Sequence, residues 1–194
     1  MEKKFEIKDL ITVGVFSALY SIVMFAVACL GFIPILMVFM PLLCPLVAAI
    51  PLMLYFSKIK HFGMITITGT LIGILMFIIG HPYPILIFCI GAGLLTEVVL
   101  KMGNYQSIKH CVAASAVFSL WFLGMVIAFF FSFRDAYFAS ILDGYGQEYV
   151  DAMKSYTPTW VFFAMIIMCL VGGTVGGLLG AKVLKKHFRK AGMA

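Results

Sequence analysis

From position 10 to position 183 the chain repeats one pattern: an apolar run of about twenty residues, a short polar or glycine-proline interruption, then another apolar run. Six runs can be read, at about 10–30, 35–56, 62–79, 83–100, 111–131 and 160–183. Each is close to the roughly 20 residues a helix needs to cross the hydrocarbon core. None shows the alternating ten-residue segments of a closed barrel. The first run is too long and too poor in small-residue cleavage sites for a signal peptide, and more spans follow it. The pattern therefore predicts an all-α integral membrane protein with six transmembrane helices.

Composition agrees with this reading. The chain is 63% hydrophobic and 11% charged, with a mean hydropathy of +1.11, whereas soluble domains carry about 25% charged residues. Its 194 residues leave room for a single membrane domain over 1–194 and little else. Cys29, Cys44, Cys89, Cys111 and Cys169 lie inside apolar runs with no CxxC spacing, so free, buried thiols are expected.

Charge sets the expected orientation. Of 14 Lys and Arg, 12 fall in four clusters: Lys3, Lys4 and Lys8; Lys58 and Lys60; Lys101 and Lys109; and Lys182, Lys185, Lys186, Arg189 and Lys190. These occupy alternate ends of the six spans, which places both termini of a multi-pass membrane protein in the cytoplasm. The other face receives the connections 31–34 and 80–84 and a long loop at 132–159. That loop is mildly acidic and aromatic. It is expected to form two short helical turns, "DAYFASIL" and "QEYVDAMKSY", broken at Asp143-Gly144 and closed at Thr157-Pro158. Both an interfacial aromatic belt and a binding lid fit it.

The last span carries "VGGTVGGLLGAKVLKKHFRK". Five glycines there would each weaken a helix by about 1 kcal/mol against alanine, a cost offset where small residues let helix backbones approach in a membrane. Similar ridges occur at Gly14 and Ala18, with Ser17 and Ser21 alongside, and at Gly69 and Gly73. Internal packing accounts for such ridges, but three of them suggest that at least one faces a partner. The glycines are not a phosphate loop, because Lys182 follows them at the end of a helix. The basic end suits helix carbonyls and anionic lipid headgroups, and no nucleic-acid partner is expected.

Catalytic patterns are missing: no HExxH, no GxSxG and no clustered carboxylates at membrane depth. The chain is not expected to be an enzyme, and no metal site or cofactor is read. Glu97 is the one acid inside a span, and an i,i+4 ion pair with Lys101 is its expected role. His81, in "IIGHPYPI", is the only histidine on the outer face. Candidate substrate-binding residues are therefore His81 and Tyr83 at one outer turn, Arg134 and Tyr137 in the long loop, and Trp160 at the start of the last span. For Arg134 with Asp135, a solvated ion pair is the alternative.

Over nearly its whole length, including "KDLITVGVFSALYS", "KIKHFGMITITGTLIG", the outer Gly80-His81, "KMGNYQSIK" and "GGLLGAKVLKKHFRKAG", the chain resembles the Trep_Strep (MptD-like) family. That group is similar to the substrate-binding S components of energy-coupling factor (ECF) transporters. The resemblance implies a six-helix bundle that captures a small micronutrient from outside. A separate T component and two cytoplasmic ATPases would then drive the toppling that releases it. It also implies docking through small residues of the first helix, in an Ala-xxx-Ala pattern that Gly14-xxx-Ala18 matches with one replacement and that Ile22 does not extend. The binding site would lie at the outer helix ends, beneath 31–34, 80–84 and 132–159. A vitamin-like, nucleobase-like or tetrapyrrole solute fits the outer aromatics. A self-sufficient secondary transporter with Pro41, Pro45 and Pro51 breaking its second helix is the rival reading.

Overall fold

The computed structural model describes residues 6–59, 61–185 and 189; Lys3, Lys4, Lys60, Lys186, His187 and Lys190 lie outside the described residues. The described chain is helical throughout, in the order α1 (Ile7–Ala28), α2 (Pro34–Phe56), α3 (Met64–Ile79), α4 (Pro84–Met102), α5 (Ile108–Phe118), α6 (Leu123–Val126), α7 (Arg134–Tyr145), α8 (Gln147–Tyr156) and α9 (Thr159–Val183). Five segments are long and apolar enough to cross a membrane: Ile7–Phe32, Pro34–Phe56, Pro84–Met102, Ile108–Phe129 and Thr159–Val183. The third expected span appears as the shorter apolar helix α3, with 16 residues. At 1.5 Å per residue it is about 24 Å long, short of the roughly 30 Å hydrocarbon core.

The predicted elements match the observed ones within a few residues, with one internal exception. The fifth run is not one helix: α5 gives way to a 3₁₀ turn at Ser119–Phe122, the single α turn α6, and a second 3₁₀ turn at Ile127–Phe129. The tighter winding turns Trp121, Phe122, Phe129 and Phe130 into the bundle, where all are buried. The Trp121 indole N–H donates to the Tyr20 hydroxyl at 2.9 Å, tying this segment to α1. The three prolines inside α2 do not end the helix; Pro41 and Pro45 are buried among neighbouring helices, the setting in which such breaks are tolerated.

The glycine ridge of α9 is consumed by internal packing. Gly172, Gly176 and Gly180 face α2, and Gly173 and Gly177 face α5. An added Cβ at Gly172 or Gly176 would fall on the Leu42 or Leu46 carbonyl, and at Gly173 it would lie 2.7 Å from Ala116 Cα. Gly69 and Gly73 serve the α3–α4 contact in the same way, against Cys89, and Gly93 answers them from α4. The third ridge behaves differently. Gly14 and Ala18 lie on the exposed side of α1, and nothing stands within 4 Å of where a Gly14 side chain would be. Ser17 and Ser21, on the adjoining face, are buried.

Of the cysteines, Cys44, Cys89, Cys111 and Cys169 are buried free thiols as expected, but Cys29 is exposed because its 3₁₀ turn ends α1 at the bundle surface.

Candidate functional site

The connections after α1, after α3 and between α6 and α9 meet at one end of the bundle. The long one is ordered into α7 and α8, the two helices expected there, but the break falls at Gly146 and not at Asp143-Gly144. Gly146 has φ +82°, a conformation that glycine adopts without steric cost. α8 is amphipathic: Val150 and Met153 are buried at i, i+3 spacing, while Glu148, Asp151, Lys154 and Ser155 are exposed. α7 contributes Phe138 to the core. Before α7 the backbone turns sharply at Phe131, whose φ of +55° is rare for a bulky residue.

One cation holds this cap together. Arg134 donates from Nη1 to the Phe129 carbonyl (2.6 Å) and to the Thr157 carbonyl and hydroxyl (2.8 and 3.1 Å), and from Nη2 to the Lys154 carbonyl (2.9 Å). Its guanidinium also lies 5.2 Å from the Phe138 ring centroid, with Lys154 Nζ on the same ring at 5.6 Å. The start of α7 is thereby fastened to the end of α8. Among the described residues Arg134 makes no ion pair with Asp135, so the solvated pair is not formed. Carbonyls that would otherwise be orphaned at the ends of two short helices take the donors instead.

The cap reaches both outer turns. The Tyr149 hydroxyl donates to the Gly31 carbonyl at 2.7 Å, Tyr145 stacks on Phe32 with centroids 5.8 Å apart, and Tyr83 meets Phe133 edge-on at 5.8 Å. Between α7 and the turn after α3 lies an open cavity of about 180 Å³ lined by Gly80, Pro82, Phe133, Ala136, Tyr137 and Ser140. Tyr137 is held by Phe129 at 5.1 Å, and burial pushes its phenol well above the usual range. His81 is half-buried between two cavity-lining residues, and burial holds its imidazole below its ordinary pKa. Both are therefore neutral near pH 7. No charged side chain lines the cavity.

Of the expected site residues Tyr137 lines the cavity, Tyr83 reaches it only through Phe133, and His81 sits between the lining residues Gly80 and Pro82 without lining it itself; Arg134 has a positioning role beside it. Trp160 is 68% exposed on the first turn of α9 and does not line the cavity. Sequence reasoning missed Phe133, Ala136 and Ser140. The i, i+3/i+4 spacing of 133, 136, 137 and 140 was the available signal.

At the opposite end, Glu97 corrects its expected role. It is fully buried. Its Oε1 accepts the backbone N–H groups of Gly63 (2.9 Å), Ile65 (2.6 Å) and Thr66 (3.4 Å), and the Tyr105 hydroxyl stands 3.5 Å from Oε2. It makes no ion pair with Lys101, whose Nζ lies over the Phe62 ring at 5.6 Å. The start of α3 has no capping side chain of its own, so a carboxylate from α4 supplies the acceptor. Among the described residues no three His, Cys, Asp or Glu side chains gather where they could hold a metal.

An apolar helical bundle with small-residue packing and a structured cap over one end defines a multi-pass integral membrane protein. Residues 7–190 match the Trep_Strep family, described as hypothetical bacterial integral membrane proteins, and the chain belongs to that family. No curated protein and no solved structure matches it.

Proposed function

We propose that the protein is the membrane-embedded substrate-capture component of an ECF-type importer. It binds a small solute at the α7–α8 cap and docks through α1 on a T component that works with two ATPase subunits. The observation that carries this reading is the contrast among the three small-residue ridges. Those of α3 and α9 are filled by neighbouring helices, whereas Gly14 and Ala18 are left open to a partner. The charge clusters Lys58, Lys101, Lys109, Lys182 and Lys185 stand at the end away from the cap, which supports a cytoplasmic location for both termini and an outward-facing pocket. The chain's own part is capture and release, with ATP hydrolysis in the partners.

The cavity favours one group of solutes. At about 180 Å³ it is smaller than the roughly 300 Å³ at which drug-sized pockets begin. Aromatic walls and neutral polar groups suit a compact, uncharged vitamin-like or nucleobase-like ring over a tetrapyrrole. The rival secondary transporter needs a titratable group on the solute path, and Glu97 is instead occupied by the amides that begin α3.

The test starts with the solute that co-purifies with the protein, identified by mass spectrometry and then radiolabelled. Tyr137→Ala should weaken its binding at least tenfold, about 1.4 kcal/mol, through loss of the ring that walls the cavity. Ala18→Leu should leave binding unchanged but abolish uptake into proteoliposomes that also contain the T component and ATPases. Undiminished uptake by Ala18→Leu, or ion-driven accumulation by this protein alone, would overturn the assignment.

A further inference from the structure

Because Glu97 turns inward to begin α3, Lys101 one turn later has no carboxylate partner among the described residues. Its ammonium sits over Phe62. Phe62 is also one wall of a groove of about 270 Å³, lined by Gly63, Thr66, Ile67, Thr70 and Leu71 with Leu94 of α4. The groove runs along the flank of α3 beside Leu94 of α4, at the level where Gly93 packs on Thr66. Gly63, in the left-handed conformation at φ +105°, contributes no side chain to fill it. Leu71 and Leu94 are both exposed on its rim, so it opens toward the surroundings of the bundle, which for a membrane protein are acyl chains. The lining is almost wholly apolar; Thr66 Oγ1 is buried there without a hydrogen-bond partner.

We infer that this groove is a binding site for an anionic phospholipid, with one acyl chain laid along α3 against Leu94 of α4 and the phosphate on Lys101. The two halves of the site are complementary to the two halves of such a lipid. The apolar channel takes a chain that water would not fill. The unpaired cation beside it takes a negative headgroup, as basic pockets between transmembrane helices do. A zwitterionic lipid would bring its own cation toward Lys101. Free inorganic phosphate would leave the channel empty. The site lies at the end of the bundle opposite the cap and does not depend on the transport reading.

Native mass spectrometry of the purified full-length protein tests this with phosphatidylglycerol, phosphatidylcholine of identical chains, and inorganic phosphate. Phosphatidylglycerol should be retained at least tenfold better than phosphatidylcholine. Lys101→Gln should erase the preference and Lys101→Arg should keep it. Thr70→Phe, which fills the groove, should reduce retention of both lipids. Lys109→Gln, an exposed cation at the same end, should change nothing. The site is overturned if Lys101→Gln keeps the preference, if Lys109→Gln loses as much, or if millimolar phosphate displaces the lipid. A lipid-free dimer would also overturn it, by giving the groove to a second copy.

Discussion

Gly176→Leu is expected to yield little or no monodisperse protein, and the fraction that folds should melt on the order of 10 °C below the parent. The reason lies in where a side chain would have to go. A Cβ at Gly176 would fall on the Leu46 carbonyl and lie 2.8 Å from Ala49 Cβ, both on α2. The next face of α9 is equally closed, since a Cβ on Gly173 would meet Ala116 and Ser119 across the α5 contact. The helix is wedged between two neighbours and cannot roll away from either. Overpacking a well-filled interior costs about 1–3 kcal/mol and occasionally more. Here the obstacle is backbone and not a flexible side-chain tip, so the upper end applies. Gly14→Leu is the matched control: it adds the same bulk to a position with nothing within 4 Å, and its melting temperature should stay within about 2 °C of the parent. Measurement of the surviving monomer by size-exclusion chromatography after heating separates the two. Equal melting of both variants would show that α9 is not a packing ridge.

That pair also shows what could and could not be read from the chain. The spans, the two cap helices and the existence of close-packing ridges follow from local regularities: twenty-residue apolar runs, an amphipathic period in 147–156, and glycines four apart. Which ridge is internal does not follow from them, because Gly14/Ala18 and Gly172/Gly176 carry the same spacing and differ only in what tertiary structure places opposite. The broken fifth segment was hidden for a related reason. "FSLWFLGMVIAFFF" is apolar but for Ser119 and Gly124, so no period reports that Ser119 Oγ will donate to the Cys169 carbonyl at 2.7 Å or that Trp121 will find Tyr20. Arg134 was legible as an important cation but not as a clamp, since its acceptors are backbone carbonyls at 129, 154 and 157, which any sequence would supply. The break at Gly146 was misplaced by two residues because Asp-Gly is the stronger turn dipeptide in isolation, while α7 retains enough contact through Phe138 and Tyr137 to run past it.

Glu97 is the clearest case in which a local rule lost to a distant need, and it carries the second large prediction. An i,i+4 pair with Lys101 would contribute only about 0.2–0.5 kcal/mol, so under that reading Glu97→Ala and Lys101→Ala would be equally mild. The observed arrangement predicts a strong asymmetry. Glu97 Oε1 is shared by the amides of Gly63, Ile65 and Thr66, which are the orphan donors of a helix whose own sequence offers no cap. Removing the carboxylate leaves the buried Ile65 N–H and the partly buried Gly63 and Thr66 N–H groups with no acceptor, at about 1–3 kcal/mol for a fully buried group left unmet and less for the others. Glu97→Ala should therefore destabilise by about 3 kcal/mol or more and collapse hydrogen-exchange protection at 65 and 66 first, because the start of α3 loses its anchor on α4. Glu97→Gln keeps an acceptor oxygen in the same place and can turn its amide NH₂ toward the Tyr105 hydroxyl, so it should recover more than half of the loss; what it does not recover measures the contribution of the negative charge at the helix start. Lys101→Ala should leave both stability and protection at the start of α3 unchanged. Equal, small effects of Glu97→Ala and Lys101→Ala would return Glu97 to the surface pair, and α3 would then need another acceptor for its first turn.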